Sequence, residues 1–69
     1  MEVKFAENLK LLRNEFGLTQ SELAEKINTT QRKVSYWELN KVEPDLKSLC
    51  DLSTFFNVTI DYLIGKDNF

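Results

Sequence analysis

The chain has no histidine and a single cysteine, Cys50, which removes two classes of chemistry at once. Disulfide frameworks need cysteines in pairs, and zinc sites of the usual Cys/His kind need more ligands than this sequence holds. Cys50 falls at helical spacing beside Leu46 and Leu49 and is expected to be a small buried side chain. No apolar run approaches the length of a signal core or a membrane span. The Asn-x-Thr triplets at Asn28 and Asn57 are therefore not read as glycosylation sites, and a cytoplasmic location is expected by elimination. An excess of positive charge is also missing: 9 Lys and Arg stand against 11 Asp and Glu, a formal net charge of −2. The carboxylates fall on solvent faces without an accompanying nucleophile, base or metal set, so neither an enzyme nor a cofactor is expected. Sixty-nine residues are read as one small domain spanning 1–69, with nothing left over for a second, ligand-sensing domain. Strands, repeats and low-complexity tracts find no support in the pattern.

What is present is helical punctuation. Phe5, Leu9, Leu12 and Phe16, at spacings of four, three and four, form the buried stripe of a first helix over 4–16 that Gly17 closes. Thr19 with Glu22 three residues on is a capping-box pattern, so a second helix runs over 20–27, burying Leu23, Ala24 and Ile27 and stopped by Asn28. Thr30 caps a third over 31–39, with Val34, Trp37 and Glu38 on one side and Gln31, Arg32, Ser35 and Tyr36 on another; Asn40 ends it. Pro44 breaks the chain and Asp45 caps a fourth helix over 46–56, with Leu46, Leu49, Leu52, Ser53 and Phe56 inward. Thr59 and Gly65 bound a short fifth over 60–64. Two short helices joined by a three-residue turn, as in 18–38, are the layout of a helix-turn-helix. About a dozen large apolar side chains face inward, and after conformational entropy a stability of only a few kcal/mol is expected.

The pattern Leu18-Thr19-Gln20-x-x-Leu23-Ala24, then Thr30-Gln31, then Val34-Ser35-x-Trp37-Glu38, resembles the phage-repressor-like (lambda repressor, Cro, xenobiotic-response-element) helix-turn-helix family. Leu9-Lys10-x-Leu12-Arg13 with Gly17 matches its first helix, and Pro44-Asp45-Leu46-x-x-Leu49 and Phe56-Asn57-Val58-x-x-Asp61-Tyr62-Leu63 match its fourth and fifth. Asn28 and Asn40 stand where the family usually has glycine, and both keep the left-handed option. The resemblance implies an all-α, compact five-helix lambda-repressor-like DNA-binding domain, with the helix-turn-helix at its second and third helices. It also implies an ion pair between Arg13 and Glu38 that ties the first helix to the third.

Read as a DNA reader, the third helix presents Gln31 and Arg32 at its N-terminal end, where side chains meet base edges in the major groove. Gln pairs bidentately with adenine and Arg with guanine. The plainer alternative is a solvated helix start. Tyr36 is placed to touch a thymine methyl or a phosphate, or else serves only as a cover over the core. Gln20, by the resemblance, anchors the DNA backbone, where the helix N-terminus favours a phosphate. Thr30, Lys33, Ser35, Asn40 and Lys41 are further candidates for phosphate contact. Trp37 is assigned to the core.

Charge is unevenly spread. Residues 1–29 carry four basic and five acidic groups, 30–47 four and three, and 48–69 one and three, so the recognition segment alone is net positive. The leading expectation is a small transcriptional repressor that binds double-stranded DNA, an inverted-repeat operator, as a homodimer. Phe55, Ile60, Tyr62, Ile64 and Phe69 are the candidates for its dimer surface. The alternative is an antitoxin-like or anti-regulator module on the same fold whose main partner is another protein, which the acidic balance favours.

Overall fold

Where the helices begin is decided by four short side chains. In the computed structural model, which describes residues 3–66, five helices follow one another: α1 (Phe5–Glu15), α2 (Gln20–Lys26), α3 (Gln31–Glu38), α4 (Leu46–Phe56) and α5 (Ile60–Ile64). The Thr19 hydroxyl accepts from the Glu22 backbone N–H at 3.1 Å, and the Glu22 carboxylate accepts from the Thr19 N–H at 2.8 Å, closing a capping box. Thr30, Asp45 and Thr59 cap α3, α4 and α5 by accepting from the backbone N–H of Lys33, Ser48 and Tyr62. The Thr19 amide holds the Glu22 carboxyl below its usual value, and hydrogen bonds from Ser48 do the same for Asp45.

All five helices end in one geometry. Gly17, Asn28, Asn40, Asn57 and Gly65 each take a positive φ, between 57° and 84°. After each, the chain folds back so that two backbone N–H groups bond to the last turn of the helix, as in Leu18 to the Arg13 carbonyl and Lys41 to the Tyr36 carbonyl. This left-handed cap satisfies carbonyls that would otherwise lack partners. It also shortens three helices relative to the expected ranges. Residues 16, 27 and 39 belong to the turn, so α1 ends at Glu15, α2 at Lys26 and α3 at Glu38.

The core is one cluster drawn from every helix, including Leu9, Leu23, Val34, Leu52 and Leu63 with essentially no exposure, and Phe5 packed edge-on against Trp37. α3 packs against α2 and α1, and α5 against α1 and α4. Three residues expected inside lie elsewhere. On α4 the inner stripe is Leu49, Leu52 and Phe56. At 3.6 residues per turn Leu46 stands roughly 90° from the centre of that stripe and Cys50 roughly 130°. Leu46 is accordingly 78% exposed, and Cys50 is a free, exposed thiol. Phe16 is half exposed, because it sits in the turn after α1 and only one side of its ring meets Phe55 and Phe56.

The start of α1 has no side-chain cap and is fastened to α5. The Lys4 N–H donates to the Ile64 carbonyl at 3.0 Å, and the Asn8 amide donates to the carbonyls of Tyr62 and Leu63. Gly65 sits against this junction. A Cβ there would lie 2.9 Å from the Lys4 Cβ, whereas a Cβ at Gly17 would meet nothing within 4 Å. Both glycines have positive φ, so Gly17→Ala is expected to cost about 1–2 kcal/mol for the left-handed backbone alone. Gly65→Ala carries that cost and a steric one, and thermal denaturation should rank it clearly below Gly17→Ala.

Candidate nucleic-acid interface

The exposed end of the helix-turn-helix is tied to the core by a relay of four side chains. Arg13 on α1 donates to Glu38 on α3 through Nε at 2.6 Å and Nη2 at 3.1 Å, and its Nη1 donates to the Leu18 carbonyl at 2.8 Å. The Glu38 carboxylate also accepts from the Gln20 side-chain amide at 3.1 Å, and the Gln20 carbonyl oxygen accepts from the Gln31 amide at 2.7 Å. The ion pair is sheltered, its side chains only 12% and 4% exposed. Hydrogen bonding to Glu38 raises the Arg13 pKa further above its ordinary value. Gln31 lies in solvent, so the relay runs from a half-buried ion pair to the first residue of α3.

Two of these links escape sequence reasoning. Gln20 joins Glu38 from 18 positions away and Gln31 from 11. Neither separation is a periodicity, and the contacts follow only once α2 and α3 are docked at their angle. The available signal was that Gln20 and Gln31 each open a helix of the same motif, which places their side chains on neighbouring helix starts.

A second cluster lies further along α3. Arg32 and Tyr36 are one turn apart, and the Arg32 Nε donates to the Tyr36 Oη at 3.1 Å. The Arg32 guanidinium carbon is 5.4 Å from the centre of the Tyr36 ring, and the Lys41 Nζ is 5.9 Å from it. Lys41 comes back onto the helix because the left-handed turn at Asn40 directs its N–H to the Tyr36 carbonyl, at 2.9 Å. Among the described residues the ion pairs are Arg13 with Glu38 and Lys47 with Asp51, so neither cation beside Tyr36 is neutralised by a carboxylate. An open cleft of about 500 Å³ runs along this side of α3, lined by Thr30, Arg32, Lys33, Tyr36, Trp37, Val42, Glu43 and Asp45.

Of the polar candidates, Thr30, Arg32, Lys33 and Tyr36 share this cleft, while Asn40 borders grooves shared with Val3. Gln31, Arg32, Lys33 and Thr30 are exposed at the start of α3, Ser35 and Tyr36 are half-buried along it, and Asn40 and Lys41 are exposed just past its end. Gln20 is half-buried and largely committed: its oxygen serves Gln31 and one of its N–H groups serves Glu38, leaving one N–H free. The apolar candidates do not gather. Phe55 borders a hollow with Lys26, Ile27 and Lys47, Ile64 a groove with Val3, Val42 and Pro44, and Tyr62 a depression with Asn57 and Thr59. Ile60 is half-buried, and Phe69 lies outside the described residues.

Comparison with known proteins agrees with the fold. The helix-turn-helix family profile matches residues 9–63. The HTH-type transcriptional regulator ImmR of Bacillus subtilis is 40% identical over 65 residues, which cover 94% of this chain and 51% of that protein. A transcriptional regulator from Listeria innocua superposes with a TM-score of 0.88 at 38% identity, over 94% of this chain and 61% of the other. The P22 c2 repressor, solved in complex with a synthetic operator, superposes with a TM-score of 0.85 at 25% identity, over 91% and 96% of the two chains. The chain spans about half the length of the curated relatives it matches.

Proposed function

Since this chain belongs to the helix-turn-helix family of lambda-repressor-like fold, we propose that it is a DNA-binding transcriptional regulator of repressor type that reads an operator with α3. One observation carries the reading: the exposed first turn of α3, with Gln31 held through Gln20 and Glu38 to the half-buried Arg13. A side chain that meets a base edge gains specificity when its own position is fixed beforehand, and this relay fixes it. Gln31 and Arg32 are the base readers, with Tyr36 beside them. Thr30, Lys33, Ser35, Asn40 and Lys41 contact phosphates on either side, and Gln20 offers a phosphate its remaining N–H. Such contacts set register, while the base edges supply the sequence.

Binding is to an inverted repeat by a homodimer, one α3 per half-site, with the half-sites about 34 Å apart. Phe55, Ile60, Tyr62 and Ile64 are the described candidates for the contact between two copies, and Phe55, Tyr62 and Ile64 border separate hollows rather than one apolar face. Sedimentation at high micromolar concentration should give a dimer, and a monomer there would remove that element.

A second reading, a module whose partner is another protein, draws on the acidic balance and on exposed side chains such as Phe16 and Leu11. Salt separates the two. Association with a random-sequence duplex should weaken steeply, by about 10-fold or more, between about 50 and 200 mM salt as counterions are released from the phosphates. An apolar protein interface would change little over that range.

A further inference from the structure

We propose that Tyr36 is a specificity-setting positioning residue, whose hydroxyl holds Arg32 so that the arginine meets its base through one chosen edge. The inference rests on the reading of α3 as the helix that enters the major groove. A guanidinium carries five N–H donors in a planar fork, and it can address a guanine through Nη1 and Nη2 together or through Nε and one Nη. In this protein Nε is already engaged, donating to the Tyr36 Oη at 3.1 Å. The pair left for a base is Nη1 with Nη2, the end of the fork, which matches the O6 and N7 acceptors of guanine.

Tyr36 is suited to this task by its own fixation. It is half-buried, and its backbone carbonyl is taken by the Lys41 N–H in the turn at Asn40. The same turn brings the Lys41 Nζ to 5.9 Å from the ring, so two cations approach one aromatic side chain while no carboxylate pairs with either among the described residues. The Lys41 charge raises the electrostatic cost of swinging the Arg32 guanidinium toward that side of the ring. Arg32 is a long, exposed side chain, and without Tyr36 it would sample many rotamers and both edges of its fork. Holding it in one orientation lowers the entropy lost on binding and favours a single bidentate geometry.

The test is a double-mutant cycle on a duplex that the wild-type protein enriches from a random library. Arg32→Ala identifies the base pair at which the wild-type preference relaxes. Tyr36→Phe keeps the ring and its packing and removes only the oxygen, and thermal denaturation verifies that the fold is retained. Tyr36→Phe is expected to reduce discrimination at that same base pair by about 10-fold, the loss of one hydrogen bond to a charged group, with the salt dependence of binding unchanged. Added to Arg32→Ala, it should cause no further loss. Full discrimination by Tyr36→Phe overturns the proposal, as does a loss at a different base pair, or an equal loss with and without Arg32. Arg32→Ala binding with undiminished preference at every position also overturns it. If folded wild-type protein enriches no sequence, the reading of α3 itself fails, which is a distinct result.

Discussion

Arg13→Ala is expected to lower the stability of this domain by about 3–5 kcal/mol, the usual cost of leaving one half of a mostly buried ion pair without the other. The Glu38 carboxylate is the more enclosed partner, 4% exposed against 12% for Arg13, and without the guanidinium its remaining hydrogen bond is the one from Gln20. The Leu18 carbonyl loses its donor in the same stroke. Glu38→Ala should cost less, because the Arg13 side chain keeps Leu18 and reaches more water. At roughly 4–8 °C of melting temperature per kcal/mol for a domain of this size, Arg13→Ala should melt well over 10 °C below wild type. The pair Arg13→Met with Glu38→Leu should recover much of the loss, since two apolar groups of similar volume leave no charge stranded. A melting temperature unchanged in Arg13→Ala would mean that the pair contributes nothing to the fold.

Leu52→Ala is the second large expected effect, about 2–5 kcal/mol, and Leu46→Ala is its control, expected within about 0.5 kcal/mol of wild type. Both are leucines on α4, six positions apart, yet Leu52 has no exposure and Leu46 is 78% exposed. Truncating Leu52 removes transfer energy and leaves a cavity in the core cluster that the surroundings only partly fill. Truncating Leu46 removes methyl groups that already face water. Chemical denaturation of the two variants checks the contrast, and comparable losses would place Leu46 against an apolar partner.

That contrast also marks where the sequence was legible. Caps are local. Thr19 with Glu22, and Thr30, Asp45 and Thr59, each act on a backbone N–H three residues or fewer away, so a reader of the chain finds them without knowing the fold. The all-α class and the order of the five helices follow from those signals and from helical spacing. Asn57 has a role that no expectation named: at φ 57° it is the left-handed cap of α4. Leu46, Cys50 and Phe16 were placed inward because a spacing of three or four residues defines a stripe without its centre or its ends. The centre depends on which neighbour packs there. The polar side of α3 was legible residue by residue, since Gln31, Arg32 and Tyr36 are exposed or half-buried on a capped helix. The relay through Gln20 was not, because it joins residues brought together by tertiary docking.

The binding proposal reduces to one claim, that α3 recognises particular base pairs through its first turn. The most direct measurement is selection of bound duplexes from a randomised library at moderate salt, with wild-type protein and Arg32→Ala side by side. Enrichment of an inverted repeat by the wild type, with a preference that relaxes at one base pair of each half-site in the variant, is the predicted result. A folded wild-type protein that leaves the library unenriched would contradict the claim and transfer the function of this surface to a protein partner.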